Sequence, residues 1–261
     1  MIIEGDCAEV IKTLKESSVD LVITSPPYDN LRQYDSLPFE KFQMVARALE
    51  CVIKPGGVIV WVVADATIDG SETGTSFRHA LFFKEIGLNL HDTMIYKSEK
   101  PPLSHNRYEQ KFEYMFVLSK GPPKTFNGLQ DRSLYAGKVS SMTFRADGDK
   151  LSPGNKPGAV NDLKLRGNVW TYKTGKYLST MDDEAFEHPA IFPETLVKDH
   201  MRSWSNPGDL VLDPFLGSGT TGKCAHELGR EFIGIEISKQ YVDLAKRRIE
   251  KTENQIAMFY E

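Results

Sequence analysis

Cysteine is scarce. Cys7, Cys51 and Cys224 are the only three in 261 residues, and no two are close in sequence. This excludes a disulfide framework and a paired-cysteine zinc site, so no metal is expected, and it suits a reducing cytosol. Long apolar runs are missing too. The longest, such as Gly57 to Ala64, fall far short of the roughly 20 residues a membrane-spanning helix needs. No basic head followed by a long apolar stretch opens the chain, so no signal peptide is read, and there is no repeat or low-complexity tract. An excess of positive charge is also lacking. With 32 Lys and Arg against 36 Asp and Glu the formal charge is −4, which taken alone disfavours a nucleic-acid partner. What remains, at 40% hydrophobic and 26% charged, is an ordinary globular composition of a length for one larger domain or one domain with an insertion.

Short apolar runs alternate with segments of helical spacing. Strands are expected at Met1–Glu4, Val19–Thr24, Val58–Val63, His91–Tyr96, Lys111–Ser119, Leu210–Leu212 and Glu231–Ile237. Helices are expected at Ala8–Lys15, Glu40–Ile53, Thr75–Ile86, Pro193–Trp204, Thr220–Leu228 and Lys239–Lys251, with Pro55-Gly56-Gly57 stopping the second. Runs such as VDLVIT and VIVWVV lack alternation, as strands buried on both faces do. Strands alternating with helices imply a parallel sheet flanked by helices, an α/β fold. From about Gly121 to Glu187 the character changes to Gly, Pro, Ser, Asn and Lys without long periodicity. The division read is 1–120, an insertion over 121–187, and 188–261.

Two segments carry chemistry. Leu210 to Lys223 (LVLDPFLGSGTTGK) runs from a buried strand through a glycine-rich turn into a helix, whose first N–H groups can hold a carboxylate or phosphate. It nearly matches the phosphate loop of nucleoside triphosphatases, but Cys224 stands where a magnesium-binding Ser or Thr is needed. The competing ligand is a cofactor with a carboxylate and a ribose, for which Glu236 lies at the end of the next strand, placed to accept both hydroxyls. A purely structural turn is the third reading. The other segment is Thr24-Ser25-Pro26-Pro27-Tyr28, directly after a buried strand. Two prolines remove N–H donors and fix the backbone, and the flanking hydroxyl and ring complete a cage for a planar group with an exocyclic amine. The plain alternative is a Pro-Pro turn with a packed Tyr.

Together these motifs resemble the amino-methyltransferases of DNA. The family's marks are [DNS]PP[YF], here Ser25 to Tyr28, and a DPF-x-G-S-G-T-T loop, here Asp213 to Thr221. Their order, catalytic motif first and cofactor loop last with a recognition region between, is that of the circularly permuted β group. GDCAEV at Gly5, HPAIFP at His188 and RYEQKFEY at Arg107 resemble further family segments, the last with Phe112 where His is usual. The resemblance implies an S-adenosylmethionine-dependent methyltransferase (Rossmann-like) fold of seven strands, one antiparallel, with an inserted target-recognition region. It implies S-adenosylmethionine as cofactor, with Asp6, Cys7, Phe192, Asp213, Phe215, Gly217, Ser218, Gly219, Thr220 and Glu236 near it. It implies Ser25, Pro26, Pro27 and Tyr28 as catalytic residues acting on a base flipped out of duplex DNA. Ser in the first position goes mostly with the N4 amine of cytosine in this family, and Asp or Asn with the N6 amine of adenine. A cytoplasmic protein of a prokaryote or phage is implied, with a homodimer and a companion restriction endonuclease admitted as further partners.

The unfavourable overall charge is unevenly spread. Between Lys120 and Lys176 there are eleven Lys and Arg against four Asp, about +7 in a chain of −4. Arg107, Lys138, Arg145, Lys156, Lys164, Arg166 and Lys173 are the expected DNA-binding residues. Arg reads guanine edges, Lys holds phosphate, and Asn127, Asn155, Asn161 and Asn168 are candidates for reading adenine.

Overall fold

A computed structural model describes residues 1–27, 37–98, 108–140, 143–145, 151–153 and 158–260, with backbone alone at 140, 143–145, 151–153, 158–159 and 255–260. By internal contacts these fall into two units, one of 1–127 with 168–261 and one of 128–167.

The first unit is built on one sheet. Its strands are β1 (Ile2–Glu4), β2 (Val19–Thr24), β3 (Ile53–Val63), β4 (Asn89–Ser98), β5 (Phe112–Ser119), β6 (Val169–Tyr172), β7 (Leu210–Asp213) and β8 (Glu231–Glu236). They lie in the order β1-β8-β7-β2-β3-β5-β4-β6. β5 runs antiparallel to both β3 and β4, and the other pairings are parallel. All seven expected strands are present, with the single antiparallel member. The sheet also gains β6, an eighth strand at the edge beside β4, from within the segment read as an insertion.

Among the described residues, six α-helices accompany the sheet: α1 (Cys7–Val10), α2 (Phe39–Val52), α3 (Thr75–Glu85), α4 (Glu194–Trp204), α5 (Thr220–Glu227) and α6 (Lys239–Tyr260). Their apolar stripes explain their placement. α2 buries Phe42, Val45, Ala46, Leu49 and Val52, as its three-and-four spacing requires. Phe42 stacks on His79 of α3 at 3.7 Å and meets Trp61 of β3 edge-on at 5.6 Å. Trp61 is fully buried and donates its indole N–H to His79 Nδ1 at 3.2 Å, which satisfies a polar atom inside an aromatic cluster.

The second unit is a nested series of antiparallel pairs. Gln130–Arg132 pairs with Leu163–Leu165, Val139–Ser140 with Gly158–Ala159, and Thr143–Arg145 with Leu151–Pro153. No helix of the described residues is long and apolar enough to cross a membrane.

Candidate active site

Strand order reverses between β7 and β2. From β7 the chain moves outward to β8, and from β2 it moves the other way to β3. Such a switch point opens a crevice at the carboxyl ends of the strands. β2 is buried along nearly its whole length and ends at Thr24, after which Pro26 and Pro27 offer no N–H to the ladder. β7 ends beside it at Asp213.

Asp213 binds these ends together. It is 3% exposed and accepts hydrogen bonds from Thr24 Oγ1 at 2.6 Å, Thr221 Oγ1 at 2.7 Å and the Phe215 N–H at 3.1 Å. Burial pushes its carboxyl up to about 6, against the pull of those three donors. The glycine-rich turn is fixed as closely. Leu216 N–H donates to the Ile235 carbonyl at 2.9 Å, and Gly217 N–H to Glu236 Oε2 at 2.8 Å. Glu236 also accepts from Ser238 N–H at 2.9 Å, so its carboxylate spans two backbone amides at the end of β8. Gly219 opens α5 at φ +84°, and a Cβ there would stand 2.8 Å from the Cβ of Ala245 in α6. Only glycine meets both demands without strain.

On the other side of β8, Asp6 caps α1. Its carboxylate accepts from Ala8 N–H at 3.0 Å and pairs with Lys41 at 2.8 Å, and Lys41 holds that carboxyl below its usual range. Cys7 beside it is buried, which pushes its thiol up to about 12, and burial raises Cys224 as well. Neither is an available thiolate nucleophile.

These pieces surround one cleft of about 1190 Å³. Its walls include Asp6, Cys7, Ser25, Pro27, Phe192 and Glu236, and from the turn Asp213, Phe215, Gly217, Ser218 and Thr220. Pro26 and Gly219 do not line it. Pro27 spends its carbonyl on the Leu37 N–H at 3.0 Å, so it is not free for a ligand as the Pro-Pro reading supposed. Tyr28 lies outside the described residues. The cleft also takes in Lys41, Tyr96, Glu113 and Tyr241, which the sequence reading did not single out. Glu113 was within the quoted RYEQKFEY stretch, and its register partner is Tyr96 near the end of β4. The usable signal was position, since both stand where strands reach the carboxyl edge of the sheet.

The expected DNA-binding residues are distributed differently. Lys138, Lys164 and Arg166 belong to the second unit, and Lys173 follows β6 in the first. Lys138, Lys164 and Lys173 are exposed. Arg166 is held by Asp131 at 3.0 Å. Arg107 and Lys156 lie outside the described residues, as does the side chain of Arg145. Two of the asparagines are occupied. Asn127 donates its amide to the Arg202 carbonyl at 3.1 Å, and Asn168 to that of Thr93 at 3.2 Å, so both fasten loops rather than face a base.

Comparison with known proteins identifies the family. The family described as DNA methylase matches residues 19–247. Orphan methyltransferase M.BamHII of Bacillus amyloliquefaciens is 51% identical over 245 residues, covering 91% of each chain. The chain belongs to the N6/N4 DNA methylase family. DNA adenine methyltransferase YhdJ of Escherichia coli K12 is 31% identical to this methylase over 95% of its chain and 82% of the relative. Among solved structures, PvuII DNA methyltransferase (cytosine-N4-specific) shares the fold at a TM-score of 0.70 and 21% identity, covering 97% of the methylase and 89% of that chain. A DNA modification methylase of Thermus thermophilus, solved with S-adenosyl-L-methionine, aligns at a TM-score of 0.63 and 24% identity, covering 96% and 95%. The triphosphatase reading of the methylase's turn fails on geometry too. Lys223, which it needs at a phosphate, gives its ammonium to Glu194 at 2.7 Å, and Cys224 is fully buried.

Proposed function

We propose that this methylase transfers a methyl group to the exocyclic N4 amine of cytosine in duplex DNA, within a short recognition sequence. The observation that carries the reading is the meeting of Ser25 and the glycine-rich turn on one cleft at the sheet's switch point. The methyl donor is S-adenosylmethionine, which supplies an electrophilic methyl on a sulfonium. The cleft fits it chemically. Glu236 stands at a strand end where ribose hydroxyls are bound, the turn brings backbone close, and Phe192 and Phe215 add apolar wall.

An aromatic amine is a weak nucleophile, because its lone pair is delocalised into the ring. The Ser25 hydroxyl and the Pro26 carbonyl accept hydrogen bonds from its two hydrogens and favour a pyramidal nitrogen. The lone pair then points along the transfer line, with positioning as the main contribution. Tyr28 stacks on the base. No cysteine nucleophile is used, in keeping with the protonated thiols of Cys7 and Cys224. The base must first leave the duplex, at a cost of a few kcal/mol. Lys138, Lys164 and Lys173, with Arg107, Arg145, Lys156 and Arg166, contribute to holding that duplex.

Ser25 at the head of the motif favours cytosine N4. Adenine N6 is the second reading, favoured by the relative named an adenine methyltransferase, since a hydroxyl accepts either amine's hydrogen bond. Digesting treated DNA to nucleosides and weighing them by mass spectrometry separates the two. N4-methylcytosine is the expected product, and N6-methyladenine alone overturns the choice of base.

A further inference from the structure

Beneath the glycine-rich turn, on the side away from the cleft, lies a buried cation with no part in the proposed transfer. Arg248 of α6 has 0% side-chain exposure. Its Nη1 donates to the Ser218 carbonyl and lies 3.5 Å from Thr220 Oγ1. Its Nε donates to Asp182 Oδ2 at 2.7 Å, and Nη2 is 3.7 Å from Glu194 Oε1.

Each partner leads back to the cleft. Asp182 uses its other oxygen to cap the short turn of helix at Asp183–Glu187, accepting from Glu184 N–H at 3.2 Å. That turn ends at His188, whose ring packs on Tyr241 at 4.3 Å and would stand 3.1 Å from a Cβ on Gly217. Phe186 and His188 line the cleft, as do Ser218 and Thr220. Glu194 is shared further, accepting from Thr180 Oγ1 at 2.5 Å and Lys223 at 2.7 Å. Burial alone would raise its pKa, but those donors leave it lowered, so it remains an anion facing Arg248. A guanidinium with three directed contacts suits this junction, where a single ammonium could not reach all of them.

We propose that Arg248 is a positioning residue for cofactor binding. It locks the 217–220 turn and the 182–188 segment into one rigid cradle without touching the ligand. This rests on the reading of the cleft as the S-adenosylmethionine site.

The test is calorimetric titration of S-adenosylmethionine into the full-length protein and its Arg248→Lys and Asp182→Asn variants, with kcat measured at saturating cofactor. Each variant should raise Kd about tenfold, the size of one lost charge-assisted bond, with kcat and the KM for DNA nearly unchanged. The double variant should lose less than the two single losses combined. Arg247→Ala, which removes exposed contacts to Glu184 and Glu187, should bind as wild type does. Asp182→Asn decides alone if Arg248→Lys does not fold. Folded variants with wild-type Kd, or a defect confined to kcat or to DNA, overturn the inference. A wild-type protein that binds no S-adenosylmethionine overturns the cofactor reading instead.

Discussion

Replacing Gly219 by alanine tests the packing of the glycine-rich turn against α6. Two costs apply there. At φ +84° an alanine sits in the left-handed region, which costs about 1–2 kcal/mol. Its Cβ would also lie 2.8 Å from the Cβ and 3.0 Å from the Cα of Ala245. Relieving that overlap moves helix against turn, typically about 1–3 kcal/mol. Gly208 supplies the control, with φ +85° and nothing within 4 Å of an added Cβ. Gly208→Ala should therefore cost about 1–2 kcal/mol from backbone strain alone, and Gly219→Ala about 2–5 kcal/mol. Urea denaturation followed by circular dichroism reads both, provided the m-value is unchanged. Adding Ala245→Gly to Gly219→Ala should recover part of the excess, although glycine inside a helix itself costs about 1 kcal/mol. If Gly219→Ala and Gly208→Ala agree within about 0.5 kcal/mol, and Ala245→Gly merely adds to the loss, the tight approach of turn and helix is refuted.

Two further outcomes are expected. His200 is fully buried, and burial lowers its pKa to about 3 from 6.5. Below pH 6.5 the unfolded chain takes up a proton that the folded one refuses, so this group's contribution is lost as pH falls, by about 2 kcal/mol between pH 7 and 5. Asp213, raised to about 6, acts in the opposite direction, its contribution being lost as pH rises through that value. Comparing wild type with His200→Leu by urea denaturation at both pH values isolates the histidine, and equal pH dependence in the two proteins contradicts the assignment. For DNA, removing the exposed Lys138 and Lys164 together should reduce the slope of log K against log salt by about 2, one unit per lost phosphate contact. Arg166→Ala should change it less, because Asp131 already neutralises that guanidinium. An unchanged slope for the lysine pair removes the second unit from the DNA interface.

The sheet was legible where burial on both faces forced continuous apolar runs, as in β2 and β3. β6 was not, because an edge strand of four residues shows only Trp170 and Tyr172 buried among exposed neighbours. The start of β3 was missed for a different reason. Pro55-Gly56-Gly57 reads as a stop, yet Gly56 at φ +79° turns its N–H to the Lys120 carbonyl and the chain stays in register with β2 from Ile53. The cleft's motifs were visible because each joins a strand end to residues with unusual backbone demands. Arg248 was invisible, because on an amphipathic helix it looks like any solvated charge, and its partners Asp182 and Ser218 are 66 and 30 residues away in sequence. Asn127 and Asn168 misled in the same way, since nothing local tells an amide that faces a base from one that fastens a loop.

The bond from Thr24 to Asp213 spans 189 residues. β1 likewise has only β8 for a neighbour, and the amino terminus donates to the Phe232 carbonyl at 2.7 Å. During synthesis at roughly 5–20 residues per second, the strand that carries Ser25 waits on the order of ten to forty seconds for the strand beside it. A ribosome that stalls anywhere before β7 leaves a chain bearing the Ser25 motif with no turn opposite it. Methyl transfer thus begins with the finished polypeptide, and a truncated copy is inert towards the genome.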